Sequence, residues 1–391
     1  MRIVDVCAFY SPQGGGVKTY VERKLAAAQP GQQEVIILAP GARDETLFEG
    51  PGGSIRTIKA PVFPLDRRYR YFQDEPALHA ALDALAPDIV EASSPWGSAS
   101  MVARWPGKAP RALIMHADPL SAYAYRWLSG VASRETIDKG FDWFWRHLRR
   151  LDESFGMVVS ASPSLSARLV EGGMTGVHTI PMGVETGLFD PGLRDLDLRA
   201  RLLERCGYGP DATLLIALGR HASEKRWPMV FDAVTAAGYQ RPIGLILFGD
   251  GRDRAKVVRS AQQSPHIHLA APITDRQDLA TILASADALV HGCEAETFCM
   301  VAAEAKASGL PIIVPDEGGA SDQFVDGLGA RYAARSASAL AAAVAGFLAG
   351  DPEGARQRAA DAAPYVSTFD MHFEALFALY ARTLEDARHN G

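Results

Sequence analysis

The chain has 391 residues, of which 48% are hydrophobic and 22% are charged, and its formal net charge is −6. This length and composition predict two globular domains with substantial cores. The acidic balance argues against a general nucleic-acid binder, because neutralising phosphates needs a basic surface.

No apolar run has the length of a membrane span, and the first six residues are too short and too acidic for a signal peptide. The four cysteines are scattered along the chain without a CxxC or Cys/His spacing typical of a structural metal site: Cys7, Cys206, Cys293 and Cys299. We therefore expect a protein of the reducing cytoplasm that holds no structural metal.

Short apolar runs alternate with helical patterns along the whole chain, which predicts parallel α/β units. In the first half, strands are predicted at residues 2–8, 34–38, 88–91, 112–116, 157–160 and 177–180. In the second half, strands are predicted at residues 213–218, 243–248, 266–269, 288–291 and 310–314. Glycine and proline punctuate residues 181–191, so two doubly wound domains are expected, with the boundary at residue 190.

Three consecutive glycines, Gly14, Gly15 and Gly16, follow the first predicted strand. Without a Cβ they let backbone N–H groups approach a phosphate or a sugar at the carboxyl end of a strand. A plain tight turn is the alternative. The sequence lacks the Gly-Lys-Thr adjacency of a kinase-type phosphate loop, and no G-x-G-x-x-G motif follows either first strand.

Two segments of the first half combine aromatic and basic residues. Residues 101–150 have an excess of Lys and Arg and include the run 141–150, and residues 67–72 form a second cluster. Aromatic rings beside arginines can hold a protein to an anionic membrane surface, such as the inner face of the plasma membrane. A core helix with its Trp residues packed inward is the competing interpretation.

The most informative segment is residues 296–304, between two predicted strands. A strand-to-helix turn followed by a helix leaves N–H groups and a helix dipole that favour an anion. Glu296 and Glu304 are eight residues apart, so along a helix their separation is at most about 12 Å. This spacing suits a diphosphate that lies between a sugar and a ribose.

The segment resembles the E-x7-E signature of the retaining family-four glycosyltransferases of GT-B fold. Other motifs occur in the family's order, at residues 12–17, 159–162, 180–184, 219–225, 248–251 and 369–380. The resemblance implies an α/β architecture in which two Rossmann-like, doubly wound domains face an interdomain cleft. Domain 1–190 would be the acceptor side, completed by a C-terminal helix at 370–391, and domain 191–369 would bind the nucleotide sugar.

The resemblance also implies functional residues. The donor, a UDP- or GDP-hexose, would be bound by Gly15, Gly16, Ile273, Cys299, Met300, Val301 and Glu304. The catalytic residues would be Arg220, Lys225, Glu296 and His116.

Within that scheme Glu296 holds the donor sugar and Glu304 the ribose, while Arg220 and Lys225 stabilise the leaving diphosphate. His116, at the end of a predicted strand, would touch the sugar; a purely structural histidine is its alternative. An exposed surface turn is the alternative for Arg220 and Lys225.

One position departs from the family, which usually has glycine where this chain has Cys299. The added thiol is expected to reshape the sugar pocket. We expect front-face transfer of a hexose without a metal cofactor, to a glycan, lipid or small-molecule acceptor. A sugar phosphorylase, a nucleotide-sugar epimerase or a non-catalytic binding protein of the same fold are the alternatives.

Overall fold

The computed structural model describes residues 1–12, 16–64, 69–116 and 134–389. The chain forms two compact units, Met1–Pro181 with Phe369–Gly391, and Met182–Thr368. The first unit thus ends before residue 190, the boundary expected from the sequence. The residues after Pro181 are tied to the end of the second unit, because Val184 N–H donates to Ser367 O at 2.9 Å and Val184 pairs with Thr368.

The first unit contains one sheet of eight strands. In chain order they are β1 (Arg2–Val6), β2 (Glu34–Gly41), β3 (Glu45–Gly50), β4 (Gly53–Lys59), β5 (Ile89–Ala92), β6 (Arg111–Met115), β7 (Gly156–Ser160) and β8 (Val177–Thr179). The strand order is β3-β4-β2-β1-β5-β6-β7-β8, and every pair is parallel except β3 with β4. Parallel strands need crossover helices, which bury both faces of the sheet.

The helices between these strands are α1 (Gly16–Ala27), α2 (Glu75–Leu85), α3 (Gly97–Arg104), α4 (Arg134–Gly140), α5 (Asp142–Phe155) and α6 (Pro163–Glu171). Local sequence explains two of their starts. Asp74 accepts a hydrogen bond from Ala77 N–H before α2, and Ser162 accepts one from Leu165 N–H before α6. Each cap is followed by a proline in the first turn, where a missing N–H costs nothing.

The second unit contains a parallel sheet of six strands. They are β9 (Thr213–Leu218), β10 (Ile243–Phe248), β11 (Ile267–Ala270), β12 (Ala288–Val290), β13 (Ile312–Pro315) and β14 (Gly329–Tyr332). Their order is β11-β10-β9-β12-β13-β14. The helices are α7 (Leu196–Arg205), α8 (Trp227–Gly238), α9 (Arg254–Ala261), α10 (Arg276–Ser285), α11 (Met300–Ala307), α12 (Gly318–Asp322), α13 (Ala337–Ala349) and α14 (Pro352–Ala362).

The last helix, α15 (Phe369–His389), packs against α1 of the first unit. Tyr20 Oη and His372 Nε2 are 3.0 Å apart, and His372 Nδ1 lies 3.0 Å from Pro181 O. Beneath this contact the fully buried Lys24 ammonium bonds both Asp5 and Glu91. Such a pairing is necessary because an unpaired buried charge would be strongly destabilising.

Helix α5 tests the two interpretations of the aromatic-basic run at 141–150. Phe144 and Trp145 are buried, and the Arg168 guanidinium lies 5.1 Å from the Trp145 ring centroid. Trp143, in contrast, is 56% exposed. The helix is therefore a core helix with an aromatic and basic outer face. Residues 67, 68, 123, 125 and 127 of the same prediction lie outside the described ranges.

Within the described ranges, no helix is both long enough and apolar enough to cross a bilayer.

Candidate active site

Two loops meet at the carboxyl edge of the second sheet. Strand β9 lies between β10 and β12, and such a change of direction in strand order is where α/β sheets bind ligands. Lys225 and Arg226 follow β9, whereas Glu294 and Glu296 follow β12. The Lys225 ammonium bonds Glu296, and the Arg226 guanidinium bonds Glu294. The sequence predicted Lys225 and Glu296 as separate site residues, and the sheet order brings them into contact.

The Lys225–Glu296 pair is largely buried, with side-chain exposures of 13% and 23%. Burial alone would raise the pKa of Glu296, but the neighbouring His291 imidazole and the Lys225 ammonium outweigh it and hold that pKa well below its usual range. Burial would lower the pKa of Lys225, but the Glu296 carboxylate raises it. Both groups are therefore charged at neutral pH and offer a cation and an anion side by side.

The loop that carries Glu296 is held by the glycines that follow β13. Gly319 N–H donates to Glu296 O at 2.7 Å. Gly318 has a φ of 72°, and an added Cβ there would lie 2.1 Å from Glu294 O. This close approach requires glycine, which explains the Glu-Gly-Gly sequence at 317–319.

Cys299 precedes α11 in a left-handed conformation, with φ 65° and ψ 68°. Met300 and Val301 are the first two residues of α11, and first-turn N–H groups have no acceptor within their own helix. These groups and the helix dipole create a local preference for an anion. The sequence predicted this geometry for Met300 and Val301; their role as donor contacts stays a prediction.

Glu304 lies on α11, and its side chain is only 6% exposed. Arg276 Nη2 donates to Glu304 Oε1 at 2.8 Å, and the Arg276 guanidinium lies 5.2 Å from the Phe189 ring centroid. Burial raises the pKa of Glu304, which the Arg276 charge opposes. Glu304, the carboxylate predicted to bind the ribose, is thus already hydrogen-bonded to the Arg276 guanidinium. A ribose would have to displace this guanidinium or share the carboxylate with it.

Sequence reasoning missed Arg276, although it follows the N-cap residue of α10. Asp275 accepts hydrogen bonds from Gln277 and Asp278 N–H groups, which fixes the start of that helix. Ile273, the predicted base contact, is half-buried in the loop just before this cap. Ile273 and Arg276 therefore belong to one short segment beside Glu304.

Arg220 is not part of the buried cluster. Its side chain is 78% exposed and its Nη2 lies 3.5 Å from Glu224 Oε1. The backbone carbonyl of Arg220 accepts a hydrogen bond from Trp227 Nε1 at 2.9 Å, so the turn itself is anchored. The predicted role of Arg220 in catalysis stays a prediction.

The predicted site residues of the first unit are partly described. Gly15 lies outside the described residues, and Gly16 is the first residue of α1, where an added Cβ would meet nothing within 4 Å. His116 follows β6, with its ring edge-on to Tyr20 at 4.7 Å. Burial lowers the pKa of His116 to about 4, so the imidazole is neutral at physiological pH. Its Nε2 has no hydrogen-bond partner among the described residues.

In the second unit the structure places His291 beside two of the predicted site residues, Glu296 and Cys299. Ligand atoms of His291, Glu296 and Cys299 lie within 4.8 Å of one another. His291 is 1% exposed, and its Nε2 is 3.3 Å from Glu296 Oε1. The sequence signal that could have identified His291 is its position directly after the central strand β12.

Solved structures with the same fold cover almost the whole chain. The sucrose-phosphate synthase from Thermosynechococcus elongatus superposes with a TM-score of 0.73 at 20% identity, over 99% of this chain and 100% of that one. The Anabaena protein HepE in complex with UDP superposes with a TM-score of 0.69 at 16% identity, over 99% and 100%. At these identities the likeness shows the fold, which is GT-B.

Family models and curated relatives cover both units. The model "Glycosyltransferase Family 4" matches residues 14–188, and "Glycosyl transferases group 1" matches residues 207–364. A GDP-mannose-dependent alpha-(1-6)-phosphatidylinositol dimannoside mannosyltransferase from Mycobacterium tuberculosis is 30% identical over 80% of this chain and 79% of its own length. A GDP-mannose-dependent alpha-mannosyltransferase from the same species is 29% identical over 82% and 81%. The chain therefore belongs to the group 1, family 4 glycosyltransferases, and its activity is glycosyl transfer from a nucleotide sugar.

Proposed function

We propose that this protein transfers mannose from GDP-mannose to an acceptor hydroxyl, with retention of the anomeric configuration. The observation that carries the proposal is the buried Lys225–Glu296 pair beside the N-terminus of α11. It offers a cation for a diphosphate and a carboxylate for sugar hydroxyls at one place. The GDP-mannose-dependent relatives support the choice of nucleotide and sugar, and retention is what the family resemblance implies.

In the proposed complex the N–H groups of Met300 and Val301 and the Lys225 ammonium bind the diphosphate. Glu296 orients the mannose by accepting hydrogen bonds from its hydroxyls, and Glu304 does the same for the ribose. Fixed donors aimed at developing charge are effective because they need no reorganisation during the reaction. Negative charge on the diphosphate grows as the glycosidic bond breaks, so Lys225 stabilises the transition state more than the bound donor.

The bond to the anomeric carbon breaks as the acceptor oxygen attacks from the same face. The departing phosphate oxygen takes the acceptor proton. In this front-face mechanism no side chain acts as a covalent nucleophile. Arg220 is proposed to reach the diphosphate from the exposed end of the turn after β9, and Ile273 to contact the base through its main chain. No metal enters this mechanism, because Lys225 and the helix N-terminus neutralise the diphosphate.

A donor panel tests the proposal. Thermal melting with GDP, UDP and ADP and with their hexoses should show stabilisation by GDP and GDP-mannose, of about 2.7 kcal/mol at a hundredfold excess over Kd. Turnover with GDP-mannose should give an α-linked product by proton NMR, which is retention. A β-linked product would contradict the mechanism. Phosphate-dependent cleavage of a disaccharide, or rearrangement of the donor without acceptor, would indicate a phosphorylase or an epimerase.

We further propose that the outer face of α5 holds the acceptor side of the protein to an anionic lipid surface. A pocket of about 410 Å³ lies there, lined by Trp96, Gly97, Trp143, Arg146, His147 and Arg150. Trp96 and Trp143 are 37% and 56% exposed. His147 Nε2 lies 2.7 Å from Pro95 O, which fixes the loop that carries Trp96 to the helix. Exposed indoles beside guanidinium groups are the side chains that bind at a lipid headgroup boundary.

Co-sedimentation with vesicles tests this surface. Binding to vesicles that contain an anionic lipid should decline with salt and weaken in the double variant Arg146→Glu, Arg150→Glu, at about 1 kcal/mol per basic residue. Arg149 is the wrong target, because its Nη1 donates to Gly172 O at 2.9 Å and its loss would disturb the fold. A matched control is Arg201→Glu, which removes an exposed arginine from the second unit. No vesicle binding at low salt would contradict the proposal and favour a soluble acceptor.

A further inference from the structure

The side chains of His291, Glu296 and Cys299 form a compact set of three different donor atoms. A nitrogen, a carboxylate oxygen and a thiol sulfur lie within 4.8 Å of one another. His291 is 1% exposed and Cys299 is 3% exposed. His291 Nε2 faces Glu296 Oε1 at 3.3 Å, and His291 Nδ1 has no hydrogen-bond partner among the described residues. Buried polar atoms usually have a partner, so this imidazole has unused coordinating capacity at Nδ1.

The thiol is held in place by a strained backbone. Cys299 is a non-glycine residue with φ 65° and ψ 68°, an unfavourable conformation that persists only where the surroundings enforce it. Cys299 O accepts hydrogen bonds from Ala302 and Ala303 N–H groups at 3.0 and 3.2 Å, and Gln323 Nε2 donates to Phe298 O at 3.0 Å. The backbone that carries the thiol is thereby held in place, with the sulfur within 4.8 Å of the imidazole and the carboxylate.

We propose that His291, Glu296 and Cys299 form a binding site for a soft divalent cation of the zinc and cadmium class, and that an occupied site inhibits the enzyme. Three protein ligands with a fourth position open to water are a common zinc arrangement. Zinc–ligand distances of about 2.0–2.3 Å place tetrahedral ligands roughly 3.3–3.8 Å apart. Donor atoms that already lie within 4.8 Å reach this geometry by side-chain rotation. Magnesium and calcium prefer oxygen ligands and do not fit this set.

Inhibition follows from what the cation displaces. Glu296 bonds the Lys225 ammonium, and a metal on the carboxylate repels that ammonium. A cysteine binds a metal as its thiolate, so metal binding releases one proton from the Cys299 sulfur to solvent. The bound state replaces one lysine contact by a metal with two anionic ligands and one neutral imidazole. Lys225 therefore competes with the metal for the same carboxylate.

Cadmium is the probe for the experiment, because a cadmium thiolate absorbs in the ultraviolet and the signal does not depend on turnover. The full chain should bind one equivalent of Cd²⁺ at this site with a thiolate charge-transfer band. Cys299→Gly should abolish the band and weaken binding more than about 100-fold, since even outer-shell changes cost about 10- to 100-fold. Glycine is relaxed at a φ of 65°, so this variant should fold; Cys299→Ser is the second variant if it does not.

Two further variants make the test specific. Cys206→Ala removes another buried free cysteine of the same unit and should leave the band and the affinity unchanged. Lys225→Met should tighten Cd²⁺ binding, because the competing ammonium is gone. In wild-type protein Zn²⁺ should inhibit turnover competitively with the donor, whereas Mg²⁺ should not. An unchanged Cd²⁺ band in folded Cys299→Gly or Cys299→Ser, or weaker binding in Lys225→Met, would overturn the proposal. The Cd²⁺ band and the Cd²⁺ affinities need no catalytic activity, so these two readouts are independent of the proposed donor.

Discussion

The Lys225–Glu296 pair permits a quantitative prediction. Lys225→Met keeps the apolar stem of the side chain and removes the ammonium that bonds Glu296. The carboxylate then lies buried without its charge partner. Removing one partner of a fully buried pair costs about 3–5 kcal/mol.

Two features of the structure reduce that figure. The side chains retain 13% and 23% exposure, so water compensates part of the loss. Burial lowers the pKa of His291, and the Lys225 charge lowers it as well. Without the Lys225 charge, the imidazole protonates more readily beside Glu296. We therefore expect a loss of about 2–3 kcal/mol, which lowers the melting temperature by about 4–12 °C for a unit of this size.

The assay is a double-mutant cycle by thermal and urea unfolding, with Lys225→Met, Glu296→Gln and both together. The double variant should recover about 1–3 kcal/mol relative to the sum of the single effects, because no uncompensated charge remains. Arg201→Met is the control; it removes a contact of 4.0 Å to Asp195 between exposed side chains, and its effect should stay within about 0.5 kcal/mol. In turnover Lys225→Met should lower kcat by about 10²- to 10³-fold and change donor affinity less. Additive stabilities in the cycle would refute the reasoning.

Four other predictions follow from the same site and from the first unit. Glu304→Gln should weaken GDP and the donor alike, whereas Glu296→Gln should weaken only the sugar-dependent part or turnover; calorimetry giving equal effects on GDP would contradict these roles. Cys299→Gly should fold normally and accept a wider range of donor sugars, and an unchanged donor profile would make Cys299 a packing residue. Activity should survive EDTA; loss that a divalent ion restores would contradict the metal-free mechanism. The pKa of His116 is about 4 in the folded protein, against an ordinary value of 6.5. The contribution of the neutral imidazole to the free energy of unfolding is therefore fully present above pH 6.5 and is lost as the pH falls from 6.5 through 4. His116→Phe should flatten this decline in melting temperature, and an unchanged acid profile would show that His116 does not cause it.

The central strands were predictable because their sequences contain the necessary information. The predicted bounds of β9 and β10 equal the observed ones, Thr213–Leu218 and Ile243–Phe248. Strands buried on both faces are continuous apolar runs. The sequence did not predict β3, whose Leu47 and Phe48 are 43% and 47% exposed, or β14, which contains Gly329 and Arg331. Pairing with a neighbouring strand defines these elements, and no apolar pattern within them signals it.

The segment 296–304 was predictable for a similar reason. A strand, a turn, a helix start and two carboxylates are local features, and a helix start binds anions wherever it occurs. The sequence could also locate Arg220 and Lys225 in one turn after β9. It could not say which of them would be buried, because that depends on the path of the backbone through the turn at Ser223–Lys225 and the left-handed Arg226, whose φ is 53°.

Only the tertiary structure decided which charges meet. Lys225 and Glu296 are 71 positions apart, and Arg276 and Glu304 are 28 apart. Their contacts depend on the strand order, which places β9 beside β12, and on the packing of α10 near α11. The sequence determined the chemical groups available at the edge of the sheet. Packing between segments distant in the chain determined the partners of these groups, and hence their pKa values.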